Sequence, residues 1–144
     1  LETTKRLAEK LKAAGTNVIL TRSDDRHVPL SERTTIANTG KKDAFISIHY
    51  DSSYNSLANG FTTYYYHDDQ SELATAINQA MDNSLSTRGS RQGNYYVLRE
   101  NALPAVLLEL GYLSNPDERA YITTAEYQEA VVESIYEWLQ DYFK

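Results

Sequence analysis

Ala105-Val106-Leu107-Leu108-Glu109-Leu110 is a short apolar run broken by a single carboxylate. A run this short, with both alternating sets of side chains apolar, reads as a strand covered on both faces, as strands of parallel sheets are. Ala44-Phe45-Ile46-Ser47-Ile48-His49-Tyr50 reads the same way. Working outward, the other segments alternate between helical and strand patterns. Leu1, Thr4, Leu7, Ala8, Leu11 and Ala14 follow helical spacing up to Gly15, and Leu30 to Asn38 reads as a short helix closed by Gly40. Asn17 to Thr21 reads as a short strand, Phe61 to His67 as a Tyr/Thr strand, Ser71 to Leu85 as a helix, and Tyr95 to Leu98 as a strand after a loop at Arg88 to Asn94. Asn115-Pro116 opens a short helix, with Asn as cap and Pro in its first position. Thr123 with Glu126 forms a capping box for a last helix that buries Tyr127, Val131, Ile135, Trp138, Leu139 and Tyr142. Strands alternating with helices predict one α/β domain, with a mostly parallel central sheet flanked by helices on both faces.

Composition limits the function. The 144 residues, with no linker or repeat, are expected to form a single domain, and 41% hydrophobic and 24% charged residues are ordinary globular usage. The net charge of −6 argues against a nucleic-acid partner, and no run is long and apolar enough to span a membrane. Zero cysteine removes disulfides, thiolate metal sites and a Cys nucleophile. The chain opens on Leu1, inside a helical pattern, which suggests that the natural domain begins earlier.

In open α/β sheets, ligands bind beyond the carboxyl ends of the strands. That rule singles out His49 and Glu109. A carboxylate within an apolar strand is costly unless it is paired, hydrogen-bonded or bound to metal. Glu109 is therefore either an ion-pair partner of Arg91 or Arg99, or a general acid/base with a raised pKa. His49 is either a hydrogen-bonded structural residue or a zinc ligand, and Ser47, His49 and Asp51 share one strand face. His27 reads as solvated loop, and His67-Asp68-Asp69 as a turn. Tyr64-Tyr65-Tyr66 reads as strand packing, with glycan stacking as the sharper alternative.

Several segments, taken in order, resemble the zinc-dependent N-acetylmuramoyl-L-alanine amidases of the Amidase_3 type. These are Thr21-Arg22, Asp25, Leu30, Arg33 and Ala37-Asn38; then Ser47-Ile48-His49; then Val97-Leu98-Arg99; then Pro104 to Asn115, with Glu109 inside it. The resemblance runs from Leu1 to Lys144. It implies hydrolysis, in peptidoglycan, of the amide between N-acetylmuramic acid and L-Ala of the stem peptide. His49 would then be a zinc ligand, Glu109 the general base/acid and Arg99 a substrate contact, while Arg33 and Asn38 brace the fold. It also implies a secreted autolysin-type hydrolase of the cell wall.

One departure accompanies the match. The family's three zinc ligands come in the order His, Glu, His, the first in a Gly-His-Gly-Gly loop that this chain does not contain. The expectation is an N-terminally incomplete catalytic domain over 1–144, with two ligands and a first strand upstream of Leu1. Such a chain is expected to bind Zn2+ poorly, to show little activity alone, and to self-associate through an open sheet edge. The alternatives are a degenerate, non-catalytic amidase-like domain that binds the wall or a partner protein, and a metal-free glycosidase using Glu109 and Asp51.

Overall fold

A computed structural model describes residues 1–81 and 85–144. The elements in chain order are α1 (Glu2–Ala13), α2 (Leu30–Asn38), β1 (Phe45–Asp51), β2 (Phe61–Tyr65), α3 (Ser71–Ala80), β3 (Thr87–Gln92), α4 (Tyr96–Arg99), β4 (Ala105–Tyr112), α5 (Pro116–Ile122) and α6 (Ala125–Tyr142). The sheet order is β1-β4-β2-β3. β1 pairs parallel with β4 and β2 parallel with β3, while β2 meets β4 antiparallel, so the sheet is mostly parallel.

β4 is buried on both faces, as its sequence predicts. Val106, Leu108 and Leu110 face the larger core, with Leu7 and Leu11 of α1, Ile77 of α3, and Val131 and Ile135 of α6. Ala105 and Leu107 face a smaller cluster with Val97 and Leu98 of α4 and with Phe45 and Tyr64. Alternation puts Glu109 on this second face. Phe45, Ser47 and His49 share it, since β1 lies in register with β4: Phe45 beside Ala105, Ser47 beside Leu107, His49 beside Glu109.

Several local expectations change. Asn17–Thr21 forms no strand. No neighbouring strand pairs with it, and its apolar content goes instead into Val18, which packs on the larger core. Tyr95–Leu98 is not a strand: the amides of Leu98 and Arg99 both bond the Tyr95 carbonyl, at 3.0 and 2.9 Å, starting the single turn of α4. A helical turn lets the consecutive residues Val97 and Leu98 both bury on one sheet face, which strand alternation forbids. Most of the loop expected at Arg88 to Asn94 is instead edge strand β3, Thr87–Gln92, held by backbone pairing to β2.

The last helix is capped by Thr124, whose Oγ1 accepts from the Tyr127 amide at 3.2 Å, rather than by Thr123. Tyr142 at its end is exposed. The expected helix over Ser71–Leu85 is helical to Ala80, and residues 82–84 lie outside the described residues. Asn115 caps α5 as predicted, accepting from the amides of Asp117 and Glu118.

Candidate active site

Glu109 lies past the middle of β4, between two ladder neighbours, His49 on β1 and Thr62 on β2. A cavity of about 150 Å3 opens over these strands. Its floor is Ser47, His49, Leu107 and Glu109; α2 contributes Leu30 and Arg33, and the start of α4 contributes Tyr95, Tyr96 and Val97. Tyr95 packs edge-on against Tyr64 with ring centroids 5.0 Å apart. Gly93 makes room for that pair: a Cβ there would lie 2.7 Å from the Tyr95 ring and 2.9 Å from Tyr64.

Glu109 Oε2 is buried and has no hydrogen-bond partner. Neither arginine proposed for it is there. Arg91 donates to the Arg88 carbonyl. Arg99 pairs with Glu100 at 2.8 Å, donates to Asn94 and lies over the Tyr96 ring. The ion-pair reading of Glu109 is thereby overturned. Burial, followed by the negative charge of Asp51, pushes its pKa up from 4.5 to about 7. The group therefore exchanges its proton near neutrality, as a general acid/base must.

His49 Nε2 lies 2.9 Å from Ser47 Oγ. Burial lowers the pKa of the imidazole, and the positive charges of Arg33 and Arg22 lower it further. The ring is thus held neutral. If Nε2–H is donated to the Ser47 hydroxyl, Nδ1 presents a lone pair, which is the way metal-binding histidines are oriented by a second hydrogen bond.

The remaining expected residues lie elsewhere. Arg99 lines a separate, wider cleft of about 460 Å3 with His67, Asp69, Gln70, Glu100 and Asn101. His27 and His67 are exposed, and His67 leads into a 3-10 turn at Asp68–Gln70. Asn38 braces the fold as expected: its side chain donates to the Glu100 carbonyl and accepts from the Ala102 amide, both at 2.9 Å. Arg33 braces too, donating from Nε to the Val28 carbonyl at 3.0 Å, yet it also lines the Glu109 cavity. That second role, with Tyr95 and Tyr96, was not read from sequence. The usable signal was the spacing that carries Arg33 one helical turn beyond Leu30.

A catalytic zinc takes three protein ligands. Among the described residues no three His, Cys, Asp or Glu side chains converge. His49 and the unpartnered Glu109 oxygen suit a metal-assisted hydrolytic site, but they do not make a ligand set.

The chain was compared with known proteins. The sequence profile of N-acetylmuramoyl-L-alanine amidase matches residues 1–141. A probable cell wall amidase LytH from Staphylococcus epidermidis is 44% identical over 145 residues, covering 99% of this chain and 48% of that protein. The Staphylococcus aureus protein of the same name is 43% identical, again over 48% of its length. The chain spans about half the length of the curated relatives it matches. Among solved structures, the catalytic domain of the amidase CwlV from Bacillus (Paenibacillus) polymyxa var. colistinus superposes with a TM-score of 0.94 at 36% identity, covering 99% of this chain and 81% of that one. The CwlD amidase from Clostridioides difficile, in complex with the GerS lipoprotein, gives 0.91 at 30% identity, covering 98% and 82%. The profile spans nearly the whole chain and these amidases share its fold, so the chain belongs to the N-acetylmuramoyl-L-alanine amidase family.

Proposed function

We propose that this chain hydrolyses, in peptidoglycan, the amide joining the lactyl group of N-acetylmuramic acid to L-Ala of the stem peptide, with Glu109 as general base and then general acid. The observation that carries the reading is a buried, unpartnered carboxylate oxygen on β4, in a cavity beside a neutral imidazole. Glu109 takes a proton from water as the water oxygen bonds to the carbonyl carbon. It returns that proton to nitrogen as the C–N bond breaks. The products are a lactyl carboxylate and the free amine of L-Ala. A pKa of about 7 lets the same carboxyl group take up a proton and give it back near neutral pH. Val97 and Leu107 are buried and give the cavity an apolar wall.

Zinc is the cofactor that goes with this reading, with His49 as one ligand. When bound, zinc polarises a carbonyl and brings the pKa of a water to about 7. The described residues do not complete its ligand set. Arg99, on the wider cleft at the far end of α4, is assigned to more distant parts of the substrate. The relatives named as cell wall amidases support action on the wall, and hence export from the cell. Among the described residues no helix is long and apolar enough to cross a membrane.

The missing ligand set favours a second reading, a degenerate domain that binds peptidoglycan or a partner protein. The CwlD amidase is itself seen in complex with the GerS lipoprotein. The glycosidase alternative is dropped, because the family matched is one of amidases.

Digestion of purified peptidoglycan in excess zinc separates the two. The amidase reading expects new free amines on L-Ala, no new reducing ends, and at least a hundredfold loss in Glu109→Ala. Sedimentation with peptidoglycan, without product and indifferent to Glu109→Ala, sinks it in favour of the second.

A further inference from the structure

Arg33 in the candidate site, Arg22 near it and Arg99 on the neighbouring cleft differ in how they are matched. Arg22 has Asp25 at 3.6 Å, and Arg99 has Glu100 at 2.8 Å. Arg33 is half-buried, lines the Glu109 cavity, and takes part in no ion pair among the described residues. Its one hydrogen bond runs from Nε to the Val28 carbonyl at 3.0 Å. That bond fixes the plane of the guanidinium and leaves both terminal nitrogens without a protein acceptor among the described residues. Glu109, the carboxylate in the same cavity, does not serve as its partner.

A guanidinium drawn partly out of water and left unmatched is costly. A planar fork with a fixed orientation is suited to a carboxylate, which it grips with two parallel hydrogen bonds. The amidase reading says which carboxylate could arrive. In an N-acetylmuramoyl peptide the lactyl carboxyl is consumed in the scissile amide. The nearest negative charge is the free α-carboxylate of the next stem residue after L-Ala, a glutamate joined onward through its side chain. That residue lies about 3.5 Å along an extended chain from L-Ala. Arg33 and Glu109 line the same cavity, so a substrate whose scissile amide meets Glu109 brings this carboxylate toward Arg33.

We propose that Arg33 binds the α-carboxylate of the second stem-peptide residue and so makes the site select acidic stems over amidated ones. The proposal rests on the peptidoglycan-amidase reading and adds a charge requirement to it. A brace for the Val28 carbonyl alone predicts no such selection.

The test is a titration of the whole chain, in chelator so that binding is read without turnover. The probes are two N-acetylmuramoyl tripeptides, identical except that the second-residue α-carboxyl is free in one and amidated in the other. The C-terminus is amidated in both. The wild-type chain is expected to bind the free acid about tenfold more tightly. The preference should shrink as salt is raised. It should vanish in Arg33→Gln, persist in part in Arg33→Lys, and survive in Arg99→Gln.

Equal affinity of the wild-type chain for the two probes overturns the proposal and leaves the amidase reading standing. A preference that survives Arg33→Gln, or is lost in Arg99→Gln instead, moves the carboxylate site away from Arg33. If neither probe binds the wild-type chain, the amidase reading fails and takes this proposal with it. Should Arg33→Gln lose its fold along with the Val28 bond, the wild-type comparison and its salt dependence still decide.

Discussion

Glu109 and Glu118 are both drawn out of water, and only one of them is satisfied. Glu118 is 8% exposed, and its two oxygens accept from the backbone amides of Gly60 and Tyr112, each at 2.6 Å. Gly60 has φ +94°, and a Cβ there would lie 2.4 Å from the Ser86 carbonyl oxygen, so only glycine fits at this position. Removing the carboxylate strands two buried N–H groups. Glu118→Ala is therefore expected to cost about 2–4 kcal/mol, read as a lower urea midpoint with an unchanged slope; a midpoint within error of wild type would refute this role. Glu109 behaves in the opposite way. Its carboxyl is raised from 4.5 to about 7 in the folded chain, so between those values the native state holds more protons than the unfolded state. Stability must then fall as pH rises through that window. Glu109→Gln should flatten this slope and leave the metal-free protein more stable than wild type at pH 8, by about 1–2 kcal/mol after discounting for partial exposure. Urea titrations in chelator at pH 5 and pH 8 check it, and a variant less stable than wild type at pH 8 contradicts it. Glu109 and His49 could be read from sequence because each is a polar group ending an apolar strand. Glu118 could not, because Asn115-Pro116-Asp117-Glu118 looks like any exposed helix start, and its acceptor role depends on a loop distant in the chain.

The elements read correctly are those whose side-chain pattern is enforced by burial on the sheet. β1 and β4 are apolar on both faces because helices cover both, and α1, α3 and α6 carry stripes because one side of each packs on the larger core. β3 escaped because its polar side chains face outward and its place is set by backbone pairing to β2. α4 escaped because Tyr, Tyr and Val favour strands intrinsically, whereas packing over β4 favours a turn that buries neighbours together. The antiparallel meeting of β2 with β4 was also invisible, since nothing local in either strand names its partner. The edges that result carry a prediction. β3 ends the sheet with a short polar strand bearing two arginines, a pattern that discourages further pairing. β1 ends the other side with apolar and aromatic residues, paired only to β4. An open edge of that kind templates a further strand. The isolated chain is expected to self-associate through β1, with a sedimentation coefficient that rises with concentration. A single monomeric boundary at every concentration tested would show that the β1 edge is closed by other means.

At the scale of the whole molecule, the larger core and the candidate site lie on opposite faces of one sheet. The larger core joins α1, α3 and α6 to the even-numbered side chains of β4, while Glu109 and His49 lie under α2 and α4 on the other face. Site chemistry can therefore change without loosening the core, and metal affinity can be separated from folding. A ligand at a hundred times its Kd stabilises a native state by about 2.7 kcal/mol, which for a domain of this size is roughly 5–10 °C in Tm. A complete three-ligand zinc centre would reach that level in micromolar zinc. One imidazole oriented by Ser47, with no third donor converging among the described residues, should not. The expected result in micromolar zinc is a shift below about 1 °C in the isolated chain, abolished in His49→Ala, with the zinc-free Tm of that variant close to wild type because the larger core is untouched. A shift of several degrees that disappears in His49→Ala would mean that His49 recruits a full ligand set in solution, from a second copy or from a rearranged Glu109. A shift of several degrees that survives His49→Ala would place the metal on other donors and remove His49 from the zinc site.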